Sequence, residues 1–193
     1  MGVSGLMAGK RFGRTDWLDL GLDQLARHGA AGLTVDALCQ AAERTRGSLY
    51  HHFKDHGAFI DAMMRHWQKR YTEDIAQHSA AQPPGEQREA LSSLAVTVDP
   101  ALETAIRQFA PTHPGASAIV AEVDRIRLGV VTALYRSAGL EEALATQIGM
   151  IEYAAYIGAL TVWPQMPPED RKALDDRFNA VLHQAGVFGA GTS

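Results

Sequence analysis

Residues 34–54 read TVDALCQAAERTRGSLYHHFK, and this stretch decides the fold. Val35, Leu38 and Ala42 recur at spacings of three and four, which marks one buried face of a short helix. Glu43 and Arg44 interrupt that pattern. Thr45 then opens a second short helix through Leu49 and Phe53, because its hydroxyl can accept from a free N–H of the first turn. Two short helices across a tight turn form a helix-turn-helix, whose second helix is shaped to enter a major groove. Leu49 and Phe53 point inward, to be held by Leu25 and Leu38. The outward face carries Arg46, Gly47, Ser48, Tyr50 and His51, with His52 and Lys54 just beyond. That set is rich in donors and nearly free of negative charge, as a groove lined with phosphates requires.

Three short motifs extend this reading on both sides. Leu25-Ala26-Arg27-His28-Gly29 ends a preceding helix, Leu33-Thr34-Val35 starts the first helix of the motif, and Gly47-Ser48-Leu49-Tyr50-His51-His52-Phe53 forms the second. In this order and spacing, residues 17–65 resemble the N-terminal domain of the TetR (tetracycline-repressor-like) family of bacterial transcriptional regulators. The resemblance implies a role for each polar residue. Arg46 takes the place of a base-reading side chain, suited to bidentate contact with guanine O6 and N7. Gly47 allows close approach to a base, and Ser48 faces either a base or a phosphate. Thr34, Thr45, Tyr50, His51 and His52 fall at phosphate-contacting positions, with Lys54 a charged neighbour. One departure stands out: the family's turn usually holds Gly where this chain has Glu43, and a small apolar residue where it has Arg44. Glu43 sets a carboxylate near the DNA.

Charge and composition agree with a soluble, cytoplasmic protein. Residues 1–54 carry a net charge of +2 and residues 55–193 a net charge of −6, consistent with −4 for the whole chain. A mildly basic head on an acidic body is expected where only one end meets nucleic acid. No apolar run is long enough to span a bilayer, and MGVSGLMAGKRFGR lacks the apolar core of a signal peptide. The single cysteine, Cys39, permits no internal disulfide. It reads as a small hydrophobe near the core, with a redox switch as the alternative.

Helical patterns fill the rest. A first helix over 15–28 turns Trp17, Leu18, Gly21, Leu22 and Leu25 to one side, and the glycines at 29 and 32 end it. Asp55 caps a long fourth helix reaching about His78, with Phe59, Ile60, Met63, Met64, Trp67 and Tyr71 as its apolar stripe. Further helices are expected at 86–97, 100–109, 116–138, 141–163 and 168–185, separated by breaks rich in Pro and Gly. The expected architecture is therefore all-α. Residues 1–13 form a tail, 14–54 a helix-turn-helix DNA-binding domain, 55–186 a ligand-binding and dimerisation domain, and 187–193 a second tail. Lys10, Arg11 and Arg14 are candidates to lie along a phosphate backbone or a minor groove.

Residues 141–163 are apolar nearly all round, and Leu174, Phe178, Val181 and Leu182 follow at helical spacing. Such helices need cover on both sides. The resemblance implies a homodimer in which the last two long helices pair with those of the partner; mutual cover within a monomer is the alternative. Two heads about one turn apart would read a palindrome.

Enzyme chemistry finds no support. There is no Gly-x-Ser-x-Gly, His-Glu-x-x-His or glycine-rich phosphate loop, and Glu141–Glu142 and Asp175–Asp176 read as solvated faces. His52 and His56 are spaced to share a metal but straddle a helix break, and no cysteine or carboxylate completes a set. No cofactor is expected. For a small-molecule effector, the candidate lining residues are Trp67, Tyr71, Phe109, Tyr135, Met150, Tyr153 and Trp163, each of which also reads as core. The expected function is a repressor released from a palindromic operator by a largely apolar or aromatic ligand. The alternatives are a ligand-independent DNA-binding protein and a helical interaction module; Glu43 favours the latter.

Overall fold

The computed structural model describes residues 12–187, so Lys10 and Arg11 lie outside the described residues. Within those limits every regular element is helical. Helix α1 spans Arg14–His28, and the Gly13 N–H at its start donates to the Asp16 carboxylate at 2.7 Å. A 3-10 turn, Gly29–Leu33, leads into α2, Val35–Ala42, and α3, Arg46–His52. Asp55 caps α4, His56–Gln68, by accepting from the Ala58 N–H at 2.7 Å. The chain then continues through one wide turn of π-helix, Lys69–Glu73, into α5, Asp74–Ala80.

The body adds α6, Gln87–Ala95; α7, Pro100–Phe109; α8, Pro114–Ser137; α9, Glu142–Val162; and α10, Pro168–Gln184. Proline at the first position of α7, α8 and α10 suits helix starts, where its missing N–H has no partner to lose.

Two apolar cores hold these helices. The larger joins Trp17, Leu25, Leu38, Leu49 and Phe53 of the head to Phe59, Met63 and Trp67 of α4, and onward to Leu102 and Ile106 of α7 and Val123 of α8. Leu49 and Phe53 thus hold α3 against Leu25 and Leu38, as their spacing predicts. Helix α1 crosses α4 so closely that a Cβ on Gly21 would sit 2.7 Å from the Phe59 ring. A larger residue there would force the Phe59 ring and the Met63 side chain to shift. The smaller core gathers Val131, Tyr135, Leu140, Ala145 and Leu182 at the far end of α8.

Three details depart from the sequence reading. The fourth helix is not uniform but broken by the π turn. Phe12, assigned to the tail, packs edge-on against Trp17 with ring centroids 5.1 Å apart, and Gly13 caps α1. Val187, assigned to the other tail, rests on the smaller core. In each case an apolar or capping contact orders a residue that composition alone places outside the fold.

Candidate functional site

The head is built from two capped helices. The Thr34 hydroxyl accepts from the Ala37 N–H at the start of α2, and the Thr45 hydroxyl accepts from the Ser48 N–H at the start of α3, both at 3.3 Å. Between them Glu43 takes the left-handed conformation, φ 53° and ψ 43°. Among the described residues Glu43 is the one non-glycine with positive φ, a conformation that glycine adopts more readily. With Leu49 and Phe53 buried beneath α3, its other face is held outward. Thr34, Thr45, Arg46, Gly47, Tyr50, His51 and Lys54 are exposed, while Ser48 and His52 are half-buried.

Arg46 is not idle in the free protein. Its Nε and Nη2 donate to one oxygen of Asp36, on α2, at 2.9 and 2.5 Å. Both side chains are well exposed, so the pair is weak and screened by salt. Asp36 is thus a partner of Arg46 that the linear sequence does not reveal. Arg14 lies with its guanidinium 4.8 Å from the centre of the Phe53 ring, beside α3.

The histidines are engaged separately. His56 Nε2 is 2.6 Å from the Leu33 carbonyl oxygen, His66 Nε2 is 2.7 Å from Asp19, and the ring of His52 lies against those of His51 and Phe53. Among the described residues no group of three or more His, Cys, Asp or Glu side chains could hold a metal ion.

Behind the head lies a cavity of about 540 Å³ among the π turn, α5, α6, α8, α9 and α10. That volume suits a drug-sized molecule. Tyr71, Tyr153 and Trp163 line it, as the sequence reading expects. The other four candidates do not come to it. Trp67 is fully buried in the larger core beneath the Arg127 guanidinium. Phe109 packs on the same core and stacks on His113. Tyr135 is fully buried in the smaller core, and Met150 stands on the surface. Helical spacing identified each as apolar and inward or outward, but not which core or face it serves.

Charged residues that the sequence reading passed over give the cavity its polar edge. Arg88 of α6 donates to Glu152 of α9 at 3.1 Å, and Tyr135 donates to the same carboxylate. Burial pushes the Glu152 carboxyl above its usual range, against the pull of Arg88. On the opposite wall Arg127 of α8 donates to the Thr72 hydroxyl at 3.0 Å, to the Tyr71 carbonyl at 3.2 Å and to the buried Glu103 at 3.0 Å. Arg127 therefore clamps the π turn to the wall of the cavity. Arg107 completes the network through Glu103 and Asp124, and the Tyr153 hydroxyl donates to Asp124 at 2.6 Å. Burial pushes Asp124 up, but the hydrogen bonds from Arg107 and Tyr153 outweigh it and hold the carboxyl below its ordinary value. Burial raises the Tyr156 hydroxyl to about 12. The signal that could have located this network is a charge inside an otherwise apolar helix: Glu152 in α9 shows it most plainly.

Among the described residues no helix is long and apolar enough to cross a membrane. Two solved structures are similar to the whole chain. One is a protein of Pseudomonas aeruginosa PAO1 assigned as a transcriptional regulator: TM-score 0.73, 14% identity, covering 90% of this chain and 91% of that one. The other is a transcriptional regulator from Rhodococcus sp. Rha1: TM-score 0.71, 18% identity, covering 89% of this chain and 96% of that one. At such identities the likeness speaks to the fold. No curated protein sequence matches the chain. The family model described as bacterial regulatory proteins, tetR family, matches residues 18–63, from the first buried turn of α1 to Met63 in α4. The family match thus covers the head, and the likeness of the whole chain to the two solved structures is one of fold.

Proposed function

We propose that the protein is a cytoplasmic homodimeric repressor that holds a palindromic operator with its two heads and lets go when a small, largely apolar or aromatic molecule fills the cavity. The observation that carries this reading is the presented face of α3: Leu49 and Phe53 lock the helix from below, leaving Arg46, Gly47, Tyr50 and His51 outward. On this reading Arg46 reads base edges. Gly47 permits close approach, Ser48 meets a base or a phosphate, and Thr34, Thr45, Tyr50, His51, His52 and Lys54 grip the backbone. The boundary between the operator-binding and ligand-binding parts falls near Asp55, where α4 begins.

Release is a population shift, limited by how differently the ligand binds the two arrangements of the heads. Arg127 supplies the physical link. It lines the cavity and bonds to Tyr71 and Thr72 in the π turn, which continues directly into α4 beneath the head. A π turn inside a longer helix can change its hydrogen bonding without unwinding the whole rod.

The test is selection of a binding site from random duplexes with purified protein, followed by anisotropy titration against scrambled DNA at two salt concentrations. A palindrome bound on the order of a thousandfold better than scrambled duplex is the expected result. Weak binding without sequence preference that vanishes with salt would sink the repressor and favour the interaction-module reading.

A further inference from the structure

One positive charge in the cavity wall has no carboxylate to meet it. Arg88, Arg127 and Arg171 all line the cavity. Arg88 is paired with Glu152 at 3.1 Å, and Arg127 is paired with the buried Glu103 at 3.0 Å. Arg171, half-buried on α10, differs. Among the described residues it stands in no ion pair: its Nη1 donates to the Met166 carbonyl and its Nη2 to the Val96 carbonyl, each at 2.6 Å. Its Nε is buried and has no partner. Asp175, four residues on along α10, also lines the cavity but accepts from the Ser92 hydroxyl at 2.6 Å. A carbonyl offers only part of a negative charge, so a guanidinium withdrawn from water still lacks its counter-charge. The other polar groups of the wall are met from within the chain: Tyr135 and Arg88 meet Glu152, and Thr72 meets Arg127. Beside Arg171 the lining is apolar, with Val98, Ala159, Trp163 and Leu174.

We propose that the ligand of this cavity is a monocarboxylic acid with an apolar body, its carboxylate held by Arg171 and its body by the apolar wall. The proposal rests on the effector-cavity reading above and adds the charge that the ligand carries. A carboxylate sets two oxygens side by side, which is the geometry a guanidinium fork matches. The two carbonyls already fix that fork, one at the end of α6 and one in the loop before α10, so little side-chain freedom is lost when a ligand arrives. A single acidic group suffices, because Arg88 and Arg127 are paired without it. A dianion would bring a charge with no partner, a cation would meet Arg171 with repulsion, and a neutral molecule would leave it unmet. The volume of about 540 Å³ leaves room for a two-ring body.

The experiment titrates the full chain by calorimetry at neutral pH with three probes. These are 2-naphthoic acid, which is ionised there, its neutral amide 2-naphthamide, and the uncharged N-phenyl-1-naphthylamine. The acid and the amide share one body and differ only at the head. The wild type is expected to bind the acid at least about tenfold more tightly than the amide. Arg171→Met should bring the acid down to the affinity of the amide and leave the two neutral probes where they were. Circular dichroism checks that the variant keeps its helices. If it does not, Arg171→Gln, which removes the charge but keeps donors for the two carbonyls, takes its place with the same expectation. An amide that binds the wild type as tightly as the acid overturns the proposal and leaves the effector cavity standing. A preference for the acid that survives loss of the Arg171 charge overturns the assignment of the anchor. A wild type that takes none of the three probes overturns the proposal and the effector-cavity reading together.

Discussion

Glu43 sits where the backbone turns left-handed, and a side chain with a Cβ pays for that conformation in steric strain. Glu43→Gly should therefore raise stability by about 0.5–1 kcal/mol, a rise of roughly 2 °C in melting temperature for a chain of this size. Because it also removes a carboxylate beside the DNA-facing surface, operator affinity should rise with it; an unchanged or lower melting temperature would show that the turn is not strained. Asp36 is the second residue to test, since it occupies Arg46 in the free protein. Asp36→Asn should tighten operator binding several-fold in an anisotropy titration, with the largest gain at low salt, where the exposed pair is strongest. No gain, with the structure intact, would mean that Arg46 does not reach DNA. The Thr45 cap was legible in the sequence because a cap acts over three residues; the matching Thr34 cap follows the same rule. The Arg46–Asp36 pair was not, because it spans the turn and depends on how two helices cross.

Helix boundaries were largely legible for the same local reason: proline at a first position and glycine past a last one act within a turn. The π turn at Lys69–Glu73 was not, since its residues continue the apolar stripe of α4 without a break. What distinguishes it is a partner far along the chain, Arg127 on α8. Arg127→Met would leave the buried Glu103 with Arg107 alone and release the π turn. We expect a loss of about 3 kcal/mol in denaturant unfolding, as when one member of a buried ion pair is removed. Adding Glu103→Leu should recover much of that stability by removing the stranded charge. If Arg127 also carries the signal, the rescued double variant should bind operator but respond poorly to ligand. Full ligand response in that variant would place the coupling elsewhere.

At the scale of the whole molecule, the sequence divides the chain into head and body at Asp55, whereas the larger core ignores that division. Trp17, Leu22 and Leu25 of α1 share one buried cluster with Leu102 and Ile106 of α7. The sequence could not show this, because apolar periodicity tells a helix which side to hide and not which neighbour hides it. A single cooperative thermal transition is expected for the intact chain. A chain ending at Ala80 should lack the cover that α7 and α8 give and melt without a sharp transition by circular dichroism. Cooperative melting of that fragment, with full operator affinity, would show that the head is self-sufficient. The same reasoning explains why the cavity candidates were recovered only in part: Tyr71, Tyr153 and Trp163 face the open space, while Trp67 and Phe109 serve the shared core.

The shared core has a consequence for quality control in the cell. A regulator whose head folded independently could lose its body to a protease and still occupy its site, deaf to every signal. Here α1 leans on α7. On the proposed function, a nicked or half-made chain would lose its grip on DNA together with its response to ligand, so damage would switch the protein off rather than lock it on.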